Sequence, residues 1–100
     1  MAKLRFHPEV LEDIRNTKDW YDRQADGLGT DFVNELEAVF QRIQRNPRQF
    51  PQFSGPIHRG ILPRFPFAVL FIPSSAGSLV LAVMHQHRRP GFWRDCVPPG

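Results

Sequence analysis

The densest run of reactive side chains in this chain is His85-Gln86-His87-Arg88-Arg89-Pro90, followed at once by Phe92-Trp93-Arg94. Histidine moves a proton near neutral pH. The planar arginine fork grips phosphates and carboxylates through paired hydrogen bonds. Two upstream cations, Arg59 and Arg64, are expected to converge on the same region. Arg, His and a stackable Trp together are what an RNA-cleaving or nucleic-acid-binding surface needs. The plainer alternative is a solvated strand end whose charges pair with Asp and Glu of the helices. Trp93 reads first as a plug closing the end of the sheet and second as a stacking platform.

Other chemistries find less support. His85-x-His87 spaces two imidazoles for a metal, but no third ligand follows at a recognisable interval and Cys96 sits in a tail, so no metal and no cofactor is expected. Gly27-Leu28-Gly29 lacks the following Lys-Ser/Thr of a phosphate loop. No Ser/His/Asp or Cys/His set can be argued, and paired acids fall only on helix surfaces.

The elements that hold these residues can be read from periodicity. Residues 2–7 alternate apolar and polar, with Leu4 and Phe6 on one face, which predicts a half-buried strand. Pro8 suits the first position of a helix. Glu9, Glu12 and Asp13 complement its dipole, and the helix is expected to run to about Asp26. After the break at 27–29, Phe32, Leu36, Phe40 and Ile43 mark a second helix, ended by Asn46-Pro47. Residues 48–56 read as a loop. Strands follow at 57–62, 67–72 and 78–85, separated by proline- and glycine-rich turns.

Along the last strand His85 shares the parity of Leu81 and Val83, and Gln86 that of Val80, Ala82 and Met84. The order strand, helix, helix, strand, strand, strand predicts a two-layer α+β domain. Its sheet is mostly antiparallel, with a helical hairpin on one face and the other face free to bind. The domain is expected to span 1–95, with 96–100 a frayed tail.

Composition agrees with one ordinary globular core: 100 residues, 41% hydrophobic and 23% charged. A single cysteine excludes an internal disulfide, no apolar run approaches the length of a membrane span, and no long apolar stretch follows the charges of Met1–Arg5 as in a signal peptide, so a cytoplasmic protein is expected. The net charge of +3 is unevenly placed. Residues 1–50 hold 8 Lys/Arg against 9 Asp/Glu, a balance of −1, whereas residues 51–100 hold 5 Arg against Asp95 alone, a balance of +4. His58, His85 and His87 also lie in the second half. This field favours an acidic partner.

Taken in order, these pieces form a pattern. Phe6-x-Pro8 leads to Asp13-Ile14 and Trp20-Tyr21, then to Gly27-Leu28-Gly29-x-x-Phe32, Asn46-Pro47 and Phe50-Pro51. Arg59 precedes Arg64-Phe65-Pro66-Phe67, and the pattern ends with Val83-x-His85-Gln86-x-Arg88-Arg89-Pro90-x-x-Trp93. Over residues 3–95 the chain resembles the toxins of the RelE/ParE superfamily of bacterial type II toxin–antitoxin (plasmid stabilisation) systems, and the ParE-like branch in particular.

The resemblance implies the fold derived above and a cognate antitoxin partner, with a toxin–antitoxin hetero-oligomer possible. It also implies one of two targets. ParE-like members are similar to proteins that poison DNA gyrase. RelE-like members cleave mRNA in the ribosome with basic residues, a His in some branches, and often a C-terminal Tyr. Here the only tyrosine is Tyr21, which argues against RelE-type cleavage.

The expected function is therefore a gyrase-binding toxin whose target-binding residues are Arg59, Arg64, His85, His87, Arg88, Arg89 and Trp93. The alternative is a ribosome-dependent endoribonuclease with His85, His87 and Arg64 as catalytic candidates. A further alternative is a non-toxic, antitoxin-bound regulator.

Overall fold

The computed structural model describes residues 3–86. The elements run β1 (Arg5–Phe6), α1 (Val10–Gln24), α2 (Leu28–Arg45), a 3-10 turn (Pro47–Gln49), β2 (Gln52–Ser54), β3 (Ile57–Ile61), β4 (Phe67–Ile72) and β5 (Leu79–His85). One five-stranded sheet forms in the order β1-β5-β4-β3-β2. β1 lies parallel to β5, and the other pairs are antiparallel. The result is the α+β architecture that the periodicity predicts.

The two helices are joined by a tight reversal. Ala25 turns extended and Gly27 takes φ 81°, so α1 ends at Gln24, earlier than its polar pattern suggested. Asp22 accepts a hydrogen bond from the Gly29 N–H at 2.8 Å and another from Lys18 Nζ at 2.8 Å. These bonds hold its carboxyl below the usual carboxylate range. A Cβ on Gly29 would collide with the Lys18 carbonyl and the Asp22 carboxylate, so only glycine lets the second helix start this close to the first. At the other end of α1, Pro8 sits in a turn before the helix instead of inside it, and His7 Nδ1 accepts from the Glu9 N–H.

The expected stripe of α2 enters the core at Phe32, Leu36 and Ile43, while its fourth member, Phe40, is only half-buried against the cluster and Val39 takes the inward position beside it. Phe32, Leu36, Val39 and Ile43 are all 2% exposed or less. Phe32 meets the rings of Tyr21, Phe65 and Phe67 at centroid distances of 5.5, 5.4 and 5.2 Å. From the sheet, Phe67, Val69, Phe71, Val80 and Val83 complete this layer.

Two features depart from the sequence reading. The stretch 48–56 is not wholly a loop, because it contains the 3-10 turn and β2. β2 is only three residues long and irregular in register, too short to show a period of two, and it is flanked by Pro51 and Pro56. In addition, β5 is not a regular alternation. The register slips opposite Leu70 and Phe71, so Phe71 pairs with Val80 while Leu70 pairs with Ala82. The extra residue, Leu81, joins Ala82 and Met84 on the face away from the helices, whereas Val80 and Val83 both point toward them.

That second face is apolar. It carries Ile57, Leu70, Leu81, Ala82 and Met84, fringed by Phe53, Ile72 and Leu79. Among the described residues neither helix covers it, yet Leu70 is 0%, Leu81 1% and Met84 7% exposed.

Candidate functional site

The pairing places Arg59 and His85 on opposite faces. Arg59 pairs with Leu70, whose side chain lies on the face away from the helices. His85 pairs with Phe67, which belongs to the helix-side core, and the two rings meet edge to face at 5.2 Å. The sequence expectation that Arg59 would converge with the histidines is not met by His85. The cause is strand alternation combined with the slip in β5, which the regular parity of the sequence could not show.

Arg59 occupies an unusual position. Its guanidinium carbon stands 4.9 Å from the centre of the Phe53 ring. Its Nε is buried and has no hydrogen-bond partner among the described residues. A buried donor without an acceptor costs free energy, so this atom is suited to receive a carboxylate or phosphate oxygen.

Arg64 lies in the turn between β3 and β4 and is drawn toward α2. Its Nε donates to Glu35 Oε2 at 2.8 Å, and its backbone N–H donates to Glu35 Oε1 at 2.7 Å. Burial pushes the Glu35 carboxyl up. The N–H groups of Arg64 and Phe65 and the guanidinium outweigh that burial and hold it below its ordinary value. The Glu35 side chain is 8% exposed and that of Arg64 is 69% exposed, so the acid anchors the turn while the guanidinium still faces solvent. Arg64 therefore has a structural duty that its sequence context did not reveal.

His85 lines an open groove of about 660 Å³ between α1 and the end of the sheet, together with Asp13, Asn16, Thr17, Trp20, Tyr21, Pro66, Phe67 and Val83. Trp20 forms an exposed wall, and Tyr21 is buried at its floor with its hydroxyl pushed up by desolvation. The four α1 residues other than Tyr21 were missed as a set by sequence reasoning. Their spacing of three, one and three puts Asp13, Asn16, Thr17 and Trp20 on one helical face, and this period is the signal that could have found them. The groove joins an acid, an imidazole and a phenol to aromatic walls.

His58 is a core residue. It is 7% exposed, and its Nδ1 lies 2.7 Å from the Phe50 carbonyl. A carbonyl only accepts, so Nδ1 carries the proton. His87, Arg88, Arg89, Trp93 and Cys96 lie outside the described residues. Among the described residues no three His, Cys, Asp or Glu side chains gather as metal ligands, and no helix is long and apolar enough to cross a membrane.

No known family model matches the sequence, and no curated protein matches it either. Solved structures do match. One is a chain of the chromosomal ParDE TA system from P. aeruginosa, with a TM-score of 0.74 and 17% identity over 85% of this chain and 96% of that chain. The chain has the fold of a ParDE-system protein. The likeness spans nearly the whole ParDE chain, so the strand, helical hairpin and antiparallel strands are shared as one unit. At this identity the ParDE likeness concerns the backbone arrangement, and the side chains of Arg59, Arg64 and the groove are read from this chain alone.

Proposed function

We propose that this protein is the toxin of a type II toxin–antitoxin pair and that it inhibits DNA gyrase by binding. The observation that carries this reading is the fold shared with a ParDE-system chain over nearly all of that chain's length. The ordered residue pattern from Phe6-x-Pro8 to Trp93 supports it independently.

The antitoxin is the first partner. It meets the arginine-rich half of the chain, where acidic side chains complement Arg59, Arg64, Arg88 and Arg89 and like charges would be excluded. The buried Nε of Arg59, without a hydrogen-bond partner among the described residues, is suited to one of these carboxylates.

The groove supports a second reading. His85, Asp13 and Tyr21 line one cleft, which places a proton carrier beside an acid and a phenol. In a ribosome-dependent endoribonuclease His85 would be the acid or base there.

Controlled expression in a bacterial host, with pulse labelling of DNA and protein synthesis, separates the two. The gyrase reading expects DNA synthesis to stop first, with an SOS response. If protein synthesis stops first, and His85→Ala abolishes cuts within codons while the fold is kept, the ribonuclease reading replaces it. Normal growth at full expression would remove both and leave the antitoxin-bound regulator.

A further inference from the structure

The connection between β3 and β4 is held from outside. Residues 62–67 read Leu-Pro-Arg-Phe-Pro-Phe, and the two prolines have no N–H. Of the N–H groups that remain, the backbone satisfies those of Leu62 and Phe67. Leu62 donates to the Phe67 carbonyl at 3.0 Å, and Phe67 donates to the Phe65 carbonyl at 2.7 Å. The N–H groups of Arg64 and Phe65 both go to one side chain, the Glu35 carboxylate of α2. That side chain is only 8% exposed, so its oxygens are tied to these donors and not left to water.

The same connection reaches the groove on its other side. The Pro66 carbonyl accepts from the Gln86 N–H at 2.8 Å, just past the end of β5. The Phe67 ring meets His85 at 5.2 Å, and the Phe65 ring meets Tyr21 at 5.0 Å. Pro66, Phe67, His85 and Tyr21 all line the groove, and Glu35 is not among its lining residues. Pro63 and Pro66 each fix a φ, so few torsions remain to absorb a displacement at Arg64 or Phe65 before it reaches Pro66 and Phe67.

We propose that Glu35 is a positioning residue for the groove. By gripping the N–H groups of Arg64 and Phe65 it sets the Pro66 carbonyl and the Phe67 ring, and through them the Gln86 N–H and the His85 imidazole. The coupling runs through contiguous contacts from α2 to the end of β5. The Arg64 guanidinium has the lesser part, because its side chain is 69% exposed and a solvated ion pair holds weakly. What this placement does for binding or cleavage rests on the function proposed above. The placement itself does not, and it is measured without gyrase, ribosome or antitoxin. A wild-type protein that spares gyrase would therefore remove that function and leave the positioning role standing.

The test compares amide and imidazole NMR signals of the full chain with those of Glu35→Ala. The Gln86 amide and the His85 ring protons should shift by several line widths, while the amides of Val39 in α2 and Phe71 in β4 stay in place. If Glu35→Ala does not fold, Glu35→Gln should give the same pattern at smaller amplitude, since one acceptor oxygen becomes a donor that faces donors. Arg64→Met keeps both backbone bonds to Glu35 and should move Gln86 roughly a third as far or less. Unmoved Gln86 and His85 signals beside shifted Arg64 and Phe65 amides would overturn the proposal, because the connection would loosen without transmitting. Shifts as large at Val39 and Phe71 would overturn it too, since they mark a general structural role. So would an Arg64→Met effect equal to that of Glu35→Ala.

Discussion

The two faces of this sheet are filled by different means. The helix-side face is closed by elements next to one another in sequence, and its aromatic cluster of Tyr21, Phe32, Phe65 and Phe67 is set by a helical period. The other face is equally apolar at Leu70, Leu81 and Met84, but it carries the one buried cationic donor without a partner among the described residues, Arg59. One face is a satisfied core, and the other carries one buried Nε, of Arg59, without a hydrogen-bond partner among the described residues. On the reading proposed above, this contrast assigns the Phe32 cluster to stability and Arg59 to partner recognition.

The largest effect expected from this contrast is at Phe32, which is 0% exposed. Phe32→Ala should cost about 3–5 kcal/mol, read as a drop in the denaturant midpoint. A loss under 1 kcal/mol would mean that the helix-side face is not the stabilising one.

Gly29→Ala comes next. The new methyl meets the Lys18 carbonyl, which is backbone and cannot swing away, so a cost of about 1–3 kcal/mol is expected. A neutral result would show that the hairpin opens easily.

Glu35→Ala strips the acceptor from the N–H of Arg64 and should cost about 1–2 kcal/mol. Its pH dependence has a definite sign. Because the folded carboxyl titrates below its ordinary value, its contribution is present above about pH 4.3 and is lost as pH falls through the folded value. The stability gap between wild type and Glu35→Gln should therefore be widest near neutral pH and close in acid. A gap that widens in acid would reverse the assignment.

The smallest stability effect is expected on the second face. Arg59→Met keeps the aliphatic stem and removes an unpaired buried donor, so the midpoint should move by no more than about 0.5 kcal/mol while antitoxin affinity falls. A large loss of stability with unchanged affinity would put Arg59 in the core instead of the interface.

The legible part of this molecule was the part governed by a single period. The α2 stripe, the antiparallel strands after Asn46 and the helical hairpin follow from spacing and proline placement. β2 escaped because three residues between two prolines carry no period. The slip in β5 escaped because the run 79–84 is apolar on both faces, so alternation had no contrast to reveal it. That slip sets the facing of the residues before His85, and the expected meeting of Arg59 with the histidines therefore failed at His85. The groove residues on α1 were visible as a helical face, but Asp13, Asn16 and Thr17 are also what any solvated helix shows. The duty of Arg64 depended on Glu35, 29 positions away, which no local pattern connects.

On the proposed reading, this fold acts by binding gyrase. The most direct test is a supercoiling assay with purified gyrase and purified protein. Supercoiling should be lost as the protein approaches the gyrase concentration and be restored by the cognate antitoxin. Supercoiling left intact at a large excess of folded protein would contradict it.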